Sequence, residues 1–345
     1  MDSGRGGGEP DDIFFCGSPI DITSYGAVLD GTTDNTAYFT AAMAATNKAY
    51  IPAGVCVLEN ASILSNGEVY GAGMGITTLK LKAGAATTRS PLTNADRVSG
   101  NTNISVHDLS IDGNHAAQTN DADGQEVHCL FFLKVDGFAL YNLDCREAVN
   151  HCIMLQEAAN GTLNNCHGHY SAWDSGIEVN GHAIAGGSHD IIANNCTANY
   201  NVESGFENDA GAEDVTWINC TAHDNGMNGV EMEHHYIGDV MTVETQRITV
   251  TGGEFYNNGN EGVLLLATHS TVTGTTCNDN GLNGIANRQG GQGTPFAGGD
   301  YATITDNACS NNTYAGVLIA PLNTNTVESG TTGSGNPSGL VVYDT

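Results

Sequence analysis

Six short segments in the second half of the chain repeat one pattern. Each segment ends in a glycine followed by an apolar residue, and these glycines are Gly176, Gly205, Gly229, Gly262, Gly284 and Gly316. The steps between them are 29, 24, 33, 22 and 32 residues, and each step holds an Asn/Gly/Asp-rich turn between short apolar stretches. A repeat of this size and composition is typical of one coil of a parallel β-solenoid. We therefore predict an all-β fold.

The N-terminal part of the chain differs from the repeats. Residues 1–19 are Gly-rich and acidic, and we predict a flexible linker there. Residues 36–47 form an Ala-rich run that Asp34 or Thr36 can cap, which predicts a short helix. A helix at this place would cover the end of a solenoid, where strand edges and apolar core are otherwise exposed. We expect residues 20–345 to form a single domain.

The charge balance limits the partners of the chain. Asp and Glu total 39 against 10 Lys and Arg, which gives a net charge of −29. Such a surface repels phosphate, so nucleic acid is excluded as a partner. No stretch has the length of a membrane span, and the N-terminus lacks the basic and apolar regions of a secretory signal. The acidity is consistent with a solvated surface, with an acidic groove or with bound Ca²⁺.

The cysteines recur in phase with the coils. We assign Cys145, Cys166, Cys196, Cys220, Cys277 and Cys309 to one coil position, and Cys129 and Cys152 to a second one. Residues stacked on neighbouring coils face the same way, so this spacing predicts ladders of small, buried, free thiols. Free thiols indicate folding in a reducing cytoplasm. No paired Cys or Cys/His spacing indicates zinc.

Several segments resemble a known group of proteins. The segments are Ile20-Asp-Ile-Thr-Ser-Tyr-Gly26, Gly71-Ala-Gly-Met-Gly75, Asp108-Leu-Ser-Ile-Asp-Gly-Asn114, Thr221-Ala-His-Asp-Asn-Gly226 and Thr251-Gly-Gly-Glu-Phe-Tyr256. They resemble the pectate-lyase-like right-handed β-helix superfamily, and within it the catalytic module of secreted mannuronan C5-epimerases. The N-terminal segment is also similar to phage tailspike depolymerases. The resemblance covers about residues 20–320 and implies a right-handed parallel β-helix that acts on a polysaccharide.

The catalytic motif of that epimerase module changes in this chain. Counting along the coils places the family's Tyr at His151 and its Asp-Pro-His tripeptide at Met154, Leu155 and Gln156. The Arg-His pair of the family falls at Glu203 and Ser204. Asp123 keeps an acidic position of the family, whereas a nearby Lys becomes Asp121. These replacements predict that the chain does not carry out epimerase chemistry.

Strand alternation predicts which side chains leave the coils. The residue after each coil glycine should point inward and the next residue outward. The candidate catalytic residues on that outer face are Glu178, Glu207, Asp209 and Glu231. The candidate substrate-binding residues are Asn180, His182, Glu233, His235, Gln156, Arg288 and Trp173. Carboxylates stacked about 5 Å apart repel one another and raise each other's pKa, which makes such a row costly for stability alone.

This face favours carbohydrate chemistry. A glycosidase needs one protonated and one ionised carboxyl group. The pair Glu207/Glu231 on adjacent coils would have about the spacing of a retaining enzyme, and Glu178/Glu231, two coils apart, would suit an inverting one. A lyase would instead need Ca²⁺ as neutraliser and a base such as His182, His235 or His151.

We therefore predict a polysaccharide depolymerase of the glycoside hydrolase type that requires no cofactor. Ca²⁺ is the ion that the acidic face could bind. The alternatives are a polyuronate lyase or C5-epimerase with altered residues, and a non-catalytic carbohydrate-binding virion or structural protein. We expect a polysaccharide partner, no membrane partner and a homotrimer as one form of assembly. The expected location is extracellular or on a virion, without a classical signal peptide.

Overall fold

The structure is a computed structural model of the chain. It describes residues 20–85, 90–118, 127–237, 240–288, 299–321, 323 and 325–343, with the side chains of 235–237 and 240–242 excluded. The predicted linker 1–19, together with Asp121 and Asp123, lies outside the described residues. No helix in the described part of the chain is long and apolar enough to cross a membrane.

The chain winds into a right-handed parallel β-helix whose coils contribute strands to two long sheets. One sheet has eleven strands among the described residues, and each strand pairs in parallel with the equivalent strand of the next coil. Its members are Ala61–Ile63, Leu92–Asn94, Leu130–Leu133, Ile153–Gln156, Ile177–Asn180, Phe206–Asp209, Val230–Met232, Val263–Leu265, Ile285–Asn287, Ala315–Ile319 and Gly339–Tyr343. We call this sheet the groove sheet.

The second sheet wraps the rest of each coil, often with two short strands per turn of the chain. Its twenty strands are Ile20–Asp21, Asp30–Asp34, Lys48–Ile51, Gly54–Leu58, Glu68–Gly71, Thr77–Leu81, Asn101–Asp112, Val135–Arg146, Ala159–His169, Ser188–Asn194, Thr197–Asn199, Ala212–Ile218, Thr221–His223, Thr249–Thr251, Glu254–Tyr256, Thr271–Thr273, Thr276–Asn278, Thr303–Thr305, Ala308–Ser310 and Val327–Ser329. A small antiparallel hairpin, His235–Ile237 with Val240–Val243, lies in the coil between the paired groove strands Val230–Met232 and Val263–Leu265.

The predicted helix is present at the start of the solenoid. It spans Thr36–Thr46, and the carboxylate of Asp34 accepts hydrogen bonds from the N–H and the hydroxyl of Thr36 at 3.0 and 2.7 Å. Its buried face is formed by Phe39, Ala42 and Met43, which join the core of the first coils. Two short 3₁₀ helices, Ile22–Tyr25 and His115–Ala117, are also present.

The thiols are buried and free, but the six that we assigned to one coil position form two columns. All nine described cysteines are buried and free. Cys277 pairs with Cys309, and that column continues through Phe255, Ala222 and Ala198. Cys166 pairs with Leu143, two residues before Cys145. The prediction of a single column is therefore wrong for Cys166, Cys196 and Cys220, which lie two residues before the position that Cys145, Cys277 and Cys309 occupy. A shift of two keeps every thiol inside, because side chains alternate with a period of two.

A buried column of amides runs beside the core, at the turn that precedes each groove strand. Each amide nitrogen donates to a backbone carbonyl of the preceding coil, and all but the last also donate to the Oδ1 of the next asparagine at about 3 Å. We call this set the asparagine ladder, and its members are Asn201, Asn225, Asn258, Asn280, Asn312 and Asn336. Such closed hydrogen bonding makes a buried polar column compatible with stability.

Glycine is required after three members of the asparagine ladder, Asn225, Asn258 and Asn280. A Cβ atom on Gly259 would lie 2.0 Å from the carbonyl oxygen of Gly226, and one on Gly281 would lie 1.9 Å from that of Gly259. The backbones of adjacent coils therefore approach too closely at this corner for any larger residue. The Asn–Gly pair that opens each of these turns is thus a packing requirement.

Candidate active site in the groove

One outward row of the groove sheet changes character along the solenoid. Seven residues stand in register on successive strands: Phe131, Met154, Glu178, Glu207, Glu231, Leu264 and Ala286. The row is apolar at both ends and carboxylic in three consecutive coils, as the alternation rule predicted. We call Glu178, Glu207 and Glu231 the carboxylate row. A second row, two residues further along the strands, aligns Gln156, Asn180 and Asp209.

Glu178 is more deeply buried than the sequence suggested, with 3% of its surface exposed. Its Oε2 lies 2.7 Å from Nε2 of His151, which also lies 3.3 Å from the carboxylate of Asp174. The Asn180 amide donates to Oε1 of Glu178 at 2.6 Å. The expectation of an exposed Glu178 is thus wrong, because a histidine from the preceding coil and a turn aspartate cover it.

This ion pair fixes the charges at the base of the groove. Burial acts to lower the pKa of His151, but the carboxylates of Glu178 and Asp174 outweigh it and raise that pKa to about 9. Burial acts to raise the pKa of Glu178, yet the His151 cation and the Asn180 amide overcome it and lower that pKa. At neutral pH the pair therefore holds an imidazolium and a carboxylate.

Glu207, in the middle of the row, has the opposite character. Burial and the neighbouring carboxylates of Glu178 and Asp174 raise its pKa well above the ordinary range. Its Oε2 is buried and has no hydrogen-bond partner among the described residues. The raised pKa favours the protonated form of this carboxyl group, which is the form that can donate a proton.

Two further acids at the groove share this tendency. Burial, with the charges of Glu178 and Glu233, raises the pKa of Asp209 to about 8. Burial and the carboxylate of Glu231 raise the pKa of Glu233 to about 7. Both groups therefore titrate near neutrality, so the net charge of the groove depends on pH over a physiological range.

Glu231 is held by donors. The Ser204 hydroxyl donates to its Oε2 at 2.6 Å, and the Asn228 amide donates to the same oxygen at 2.9 Å. Both donors come from the turns that precede adjacent groove strands, and the N–H of Asn228 in turn donates to Ser204 Oγ at 3.2 Å. Two hydrogen bonds to one carboxylate oxygen hold the side chain in a fixed orientation.

The predicted substrate-binding residues do not all gather. Gln156 Nε2 and His182 Nδ1 lie 2.5 Å apart, and Asn180 Oδ1 accepts the N–H of His182 at 2.6 Å. Trp173 lies in the preceding turn with 40% of its surface exposed. The side chain of His235 lies outside the described residues. Gln156, Asn180 and His182 therefore form one polar margin of the groove.

Arg288 marks the far end of the groove, as predicted, but its charge is engaged. Its guanidinium lies 2.5 Å from Oε1 of Glu261, which is 1% exposed. The N–H of Asn283 also donates to Glu261, at 2.8 Å. Arg288 thus compensates a buried carboxylate and is not a free cation for a ligand.

Two overlapping groups of side chains have the composition of a cation site. The ligand atoms of His151, Asp174 and Glu207 lie within 4.8 Å of one another, and so do those of Glu178, Glu207 and Asp209. Oxygen-rich groups of this kind suit Ca²⁺ more than softer metals. The same oxygens are also those that a carboxylate mechanism would use.

Some residues of the site were missed by sequence reasoning. Asp174, Ser204, Asn228 and Glu261 all stand one or two residues before a coil glycine, and that fixed spacing was a visible signal. Their role depends on the turns folding toward the start of each groove strand. The sequence pattern located the strands but gave no direction for these turns.

The fold and its acidic groove define a right-handed parallel β-helix protein of the pectate-lyase-like class. The family model described as "Rhamnogalacturonase A/epimerase, pectate lyase-like" matches residues 20–231, which is well over half of the chain. The chain belongs to this family.

Similar proteins extend the comparison. The putative phage-related protein YobO of Bacillus subtilis (strain 168) is 32% identical over 119 residues, which are 34% of this chain and 15% of that protein. The A-module of the Azotobacter vinelandii mannuronan C-5 epimerase AlgE4 matches with a TM-score of 0.75 and 21% identity, and the match covers 94% of each chain. The N-terminal fragment of bacteriophage Phi29 gene product 12 has a TM-score of 0.64 at 15% identity, over 94% of this chain and 68% of that one. At these identities the structural likeness shows the shared fold.

Proposed function

We propose that this protein hydrolyses glycosidic bonds of a polysaccharide, with Glu207 as general acid and Glu231 as nucleophile. The observation that carries the proposal is the carboxylate row, where a carboxyl with a strongly raised pKa stands beside one that accepts two hydrogen bonds. Glycosidases need such a pair of unequal carboxyl groups. The family membership supports action on a polysaccharide.

The proposed reaction has two steps. Glu207 gives its proton to the glycosidic oxygen while the bond from that oxygen to the anomeric carbon breaks and Glu231 attacks that carbon. Glu207, now ionised, then takes a proton from water, and the water oxygen displaces Glu231 and frees it. Adjacent strands lie about 4.8 Å apart, which is near the spacing of retaining enzymes. We therefore expect retention of the anomeric configuration, and Glu178 acts by keeping Glu207 protonated.

Lyase and epimerase chemistry find less support in this groove. Both need a base that removes the proton beside a uronate carboxyl group. Met154 and Gln156 stand where the epimerase motif has Asp and His. His151, at the position of the motif's Tyr, is tied to Glu178 and has a pKa near 9, so at neutral pH it is protonated.

The test is incubation with a panel of neutral and acidic polysaccharides, followed by three readouts. We expect new reducing ends, no ultraviolet absorbance of unsaturated uronates and no guluronate in a polymannuronate sample by proton NMR. Ultraviolet absorbance would show a lyase, and guluronate would show an epimerase. Binding of a polymer without any change in it would show a carbohydrate-binding protein.

Each reaction is run with EDTA and with added Ca²⁺. We expect cleavage to continue in EDTA, because the proposed steps use only carboxyl groups and water. Loss of cleavage in EDTA, with recovery on adding Ca²⁺, would assign the Glu178, Glu207 and Asp209 oxygens to a required ion.

The setting of the protein belongs to the same proposal. The likeness to a phage-related protein and to a bacteriophage gene product supports a virion-associated or extracellular location. We propose that residues 20–345 act as one β-helix domain and assemble as a homotrimer. Light scattering on the purified chain gives the mass that checks the assembly.

A further inference from the structure

Almost all Lys and Arg side chains in the described part of the chain are paired with carboxylates. Eight of the ten Lys and Arg side chains are described, and seven of them lie in ion pairs with carboxylates: Lys48, Lys80, Lys82, Lys134, Arg146, Arg247 and Arg288. The exception is Arg97, whose guanidinium lies 5.7 Å from the centre of the Phe131 ring. Phe131 stands two coils before Glu178 in the outward row, so Arg97 lies beyond one end of the carboxylate row.

The centre of the groove offers acceptors and few donors. Ionised carboxylates accept hydrogen bonds and cannot donate them. Nε2 of His151 already contacts the carboxylates of Glu178 and Asp174, and the Asn180 amide already donates to Glu178. Such a surface suits hydroxyl groups, which donate, and disfavours carboxylate, sulfate or phosphate groups, which are anionic acceptors.

We propose that the sugars bound along the carboxylate row are uncharged, so that the substrate is a neutral polysaccharide rather than a polyuronate. This inference rests on the proposed function and narrows its substrate class. A uronate at this site would bring another negative charge against ionised Glu178 and would meet no free cation among the described side chains there. Rejection of a wrong ligand by like charges is an effective source of specificity.

The experiment uses matched pairs of polymers that differ only in charge. Polygalacturonate and polymannuronate are each compared with their carboxyl-reduced forms, and neutral glucans and an amino-sugar polymer complete the panel. Binding to the full chain carrying Glu207→Gln is measured by calorimetry at pH 8 in physiological salt, and cleavage is measured with the parent protein. We expect a carboxyl-reduced or other neutral polymer to bind at least ~10-fold more tightly than its charged form, as like-charge contacts predict.

Two variants separate the local charge from the net charge of −29. Glu233→Gln removes a groove charge that is ionised at pH 8, because the pKa of Glu233 is about 7. We expect it to reduce the discrimination against polyuronates ~3-fold or more, since charges inside a Debye length are felt by the ligand. Glu254→Gln removes an exposed charge on the other sheet and should leave the discrimination unchanged. An equal effect of both variants would mean that net charge, not the groove, causes the rejection.

The outcomes separate this inference from the proposed function. Equal or tighter binding of polyuronates, or tightest binding of the amino-sugar polymer, overturns the inference even if cleavage occurs. Selective binding of a neutral polymer that the parent protein leaves uncleaved supports the inference and overturns the proposed hydrolysis. Binding of no polymer at all overturns both, because the groove would then not be a sugar site.

Discussion

The molecule contains two stacks of polar side chains on successive coils, and they differ in hydrogen bonding. In the asparagine ladder each inner amide both donates and accepts within the stack, as Asn258 does with Asn225 and Asn280. In the carboxylate row Glu207 has an oxygen without a hydrogen-bond partner among the described residues, and its pKa is raised well above the ordinary range. A neutral, closed stack stabilises the fold, whereas a charged, open stack costs stability and is available for chemistry.

The first prediction tests the open stack and has the largest expected effect. Glu207→Gln and Glu231→Gln should each lower turnover by at least ~10²-fold, the contribution of one general acid or nucleophile held in place. Turnover is measured as reducing ends released from a polymer that the parent cleaves. Both variants should remain folded by circular dichroism, because glutamine has the size of the protonated Glu207 side chain and Glu231→Gln takes a carboxylate out of the row. Full activity in both variants would contradict a catalytic role for Glu207 and Glu231 and would mean that the carboxylate row is only a solvated acidic surface.

The second prediction tests the closed stack. Asn258→Ala should lower the free energy of unfolding by about 3 kcal/mol, because the Ala222 carbonyl and the Asn225 amide lose buried partners. Denaturant unfolding measures this change. The control is Asn260→Ala, two residues away, whose side chain is only partly buried. Similar losses from the two variants would contradict the special role of the ladder.

The third prediction concerns the ion pair beneath the open stack. In Glu178→Gln the pKa of His151, which is about 9 in the parent, should fall by at least about one unit, because an anion at 2.7 Å is lost. Histidine NMR titration measures the change. Asp174 remains near the ring and should keep part of the shift. An unchanged His151 titration would place Glu178 outside the charge network.

The fourth prediction is a pH dependence of stability. Asp209 and Glu233 have pKa values raised to about 8 and 7 in the folded chain, so between pH 5 and 8 the folded state binds more protons than the unfolded state. Stability should therefore fall as pH rises through this range. His151, whose pKa is raised to about 9, adds a loss between pH 6.5 and 9.

Melting temperatures from pH 5 to 9 measure this trend. The double variant Asp209→Asn with Glu233→Gln should flatten the part of the slope below pH 8. A melting temperature that rises with pH in the parent would contradict the assignment of these protonation states.

The last prediction concerns the buried thiols of the unaltered protein and has the smallest expected effect on activity and stability. Cys166, Cys196 and Cys220 are buried, and the contact with the Cys196 thiol together with burial raises the pKa of the Cys220 thiol, so these groups should resist labelling in the native protein. Thiol titration before and after denaturation measures the difference. Rapid native labelling, or disulfides among the three, would contradict the buried columns.

The sequence was sufficient for the fold and for the rows, and the reason is periodicity. Alternation after each coil glycine placed Glu207 and Glu231 side by side, and the register confirms it. The same alternation could not reveal that the Cys166 and Cys277 columns are two residues apart along the strands. Positions two residues apart both face inward, so the two alternatives give the same pattern.

The burial of individual side chains in the site could not be predicted from the repeat, because it depends on contacts between residues at irregular spacings. The burial of Glu178 follows from His151 on the preceding coil and from the turn that carries Asp174. These residues lie 27 and 4 positions away in the chain, at spacings that do not repeat. The asparagine ladder, by contrast, was visible in the sequence, because five of its members stand four residues before a coil glycine.

The asparagine ladder also bears on the chemical ageing of the protein. Asn225, Asn258 and Asn280 are each followed by glycine, and Asn–Gly is the dipeptide in which the side-chain amide is lost most readily by attack of the next backbone nitrogen. The close packing of Gly226, Gly259 and Gly281 leaves the chain no other residue to use there. The hydrogen bonds of the ladder hold each amide away from that attack. The folded state thus protects these side-chain amides from loss. Each unfolding event exposes them, and loss of an amide would leave a carboxylate, and so a negative charge, in a neutral column.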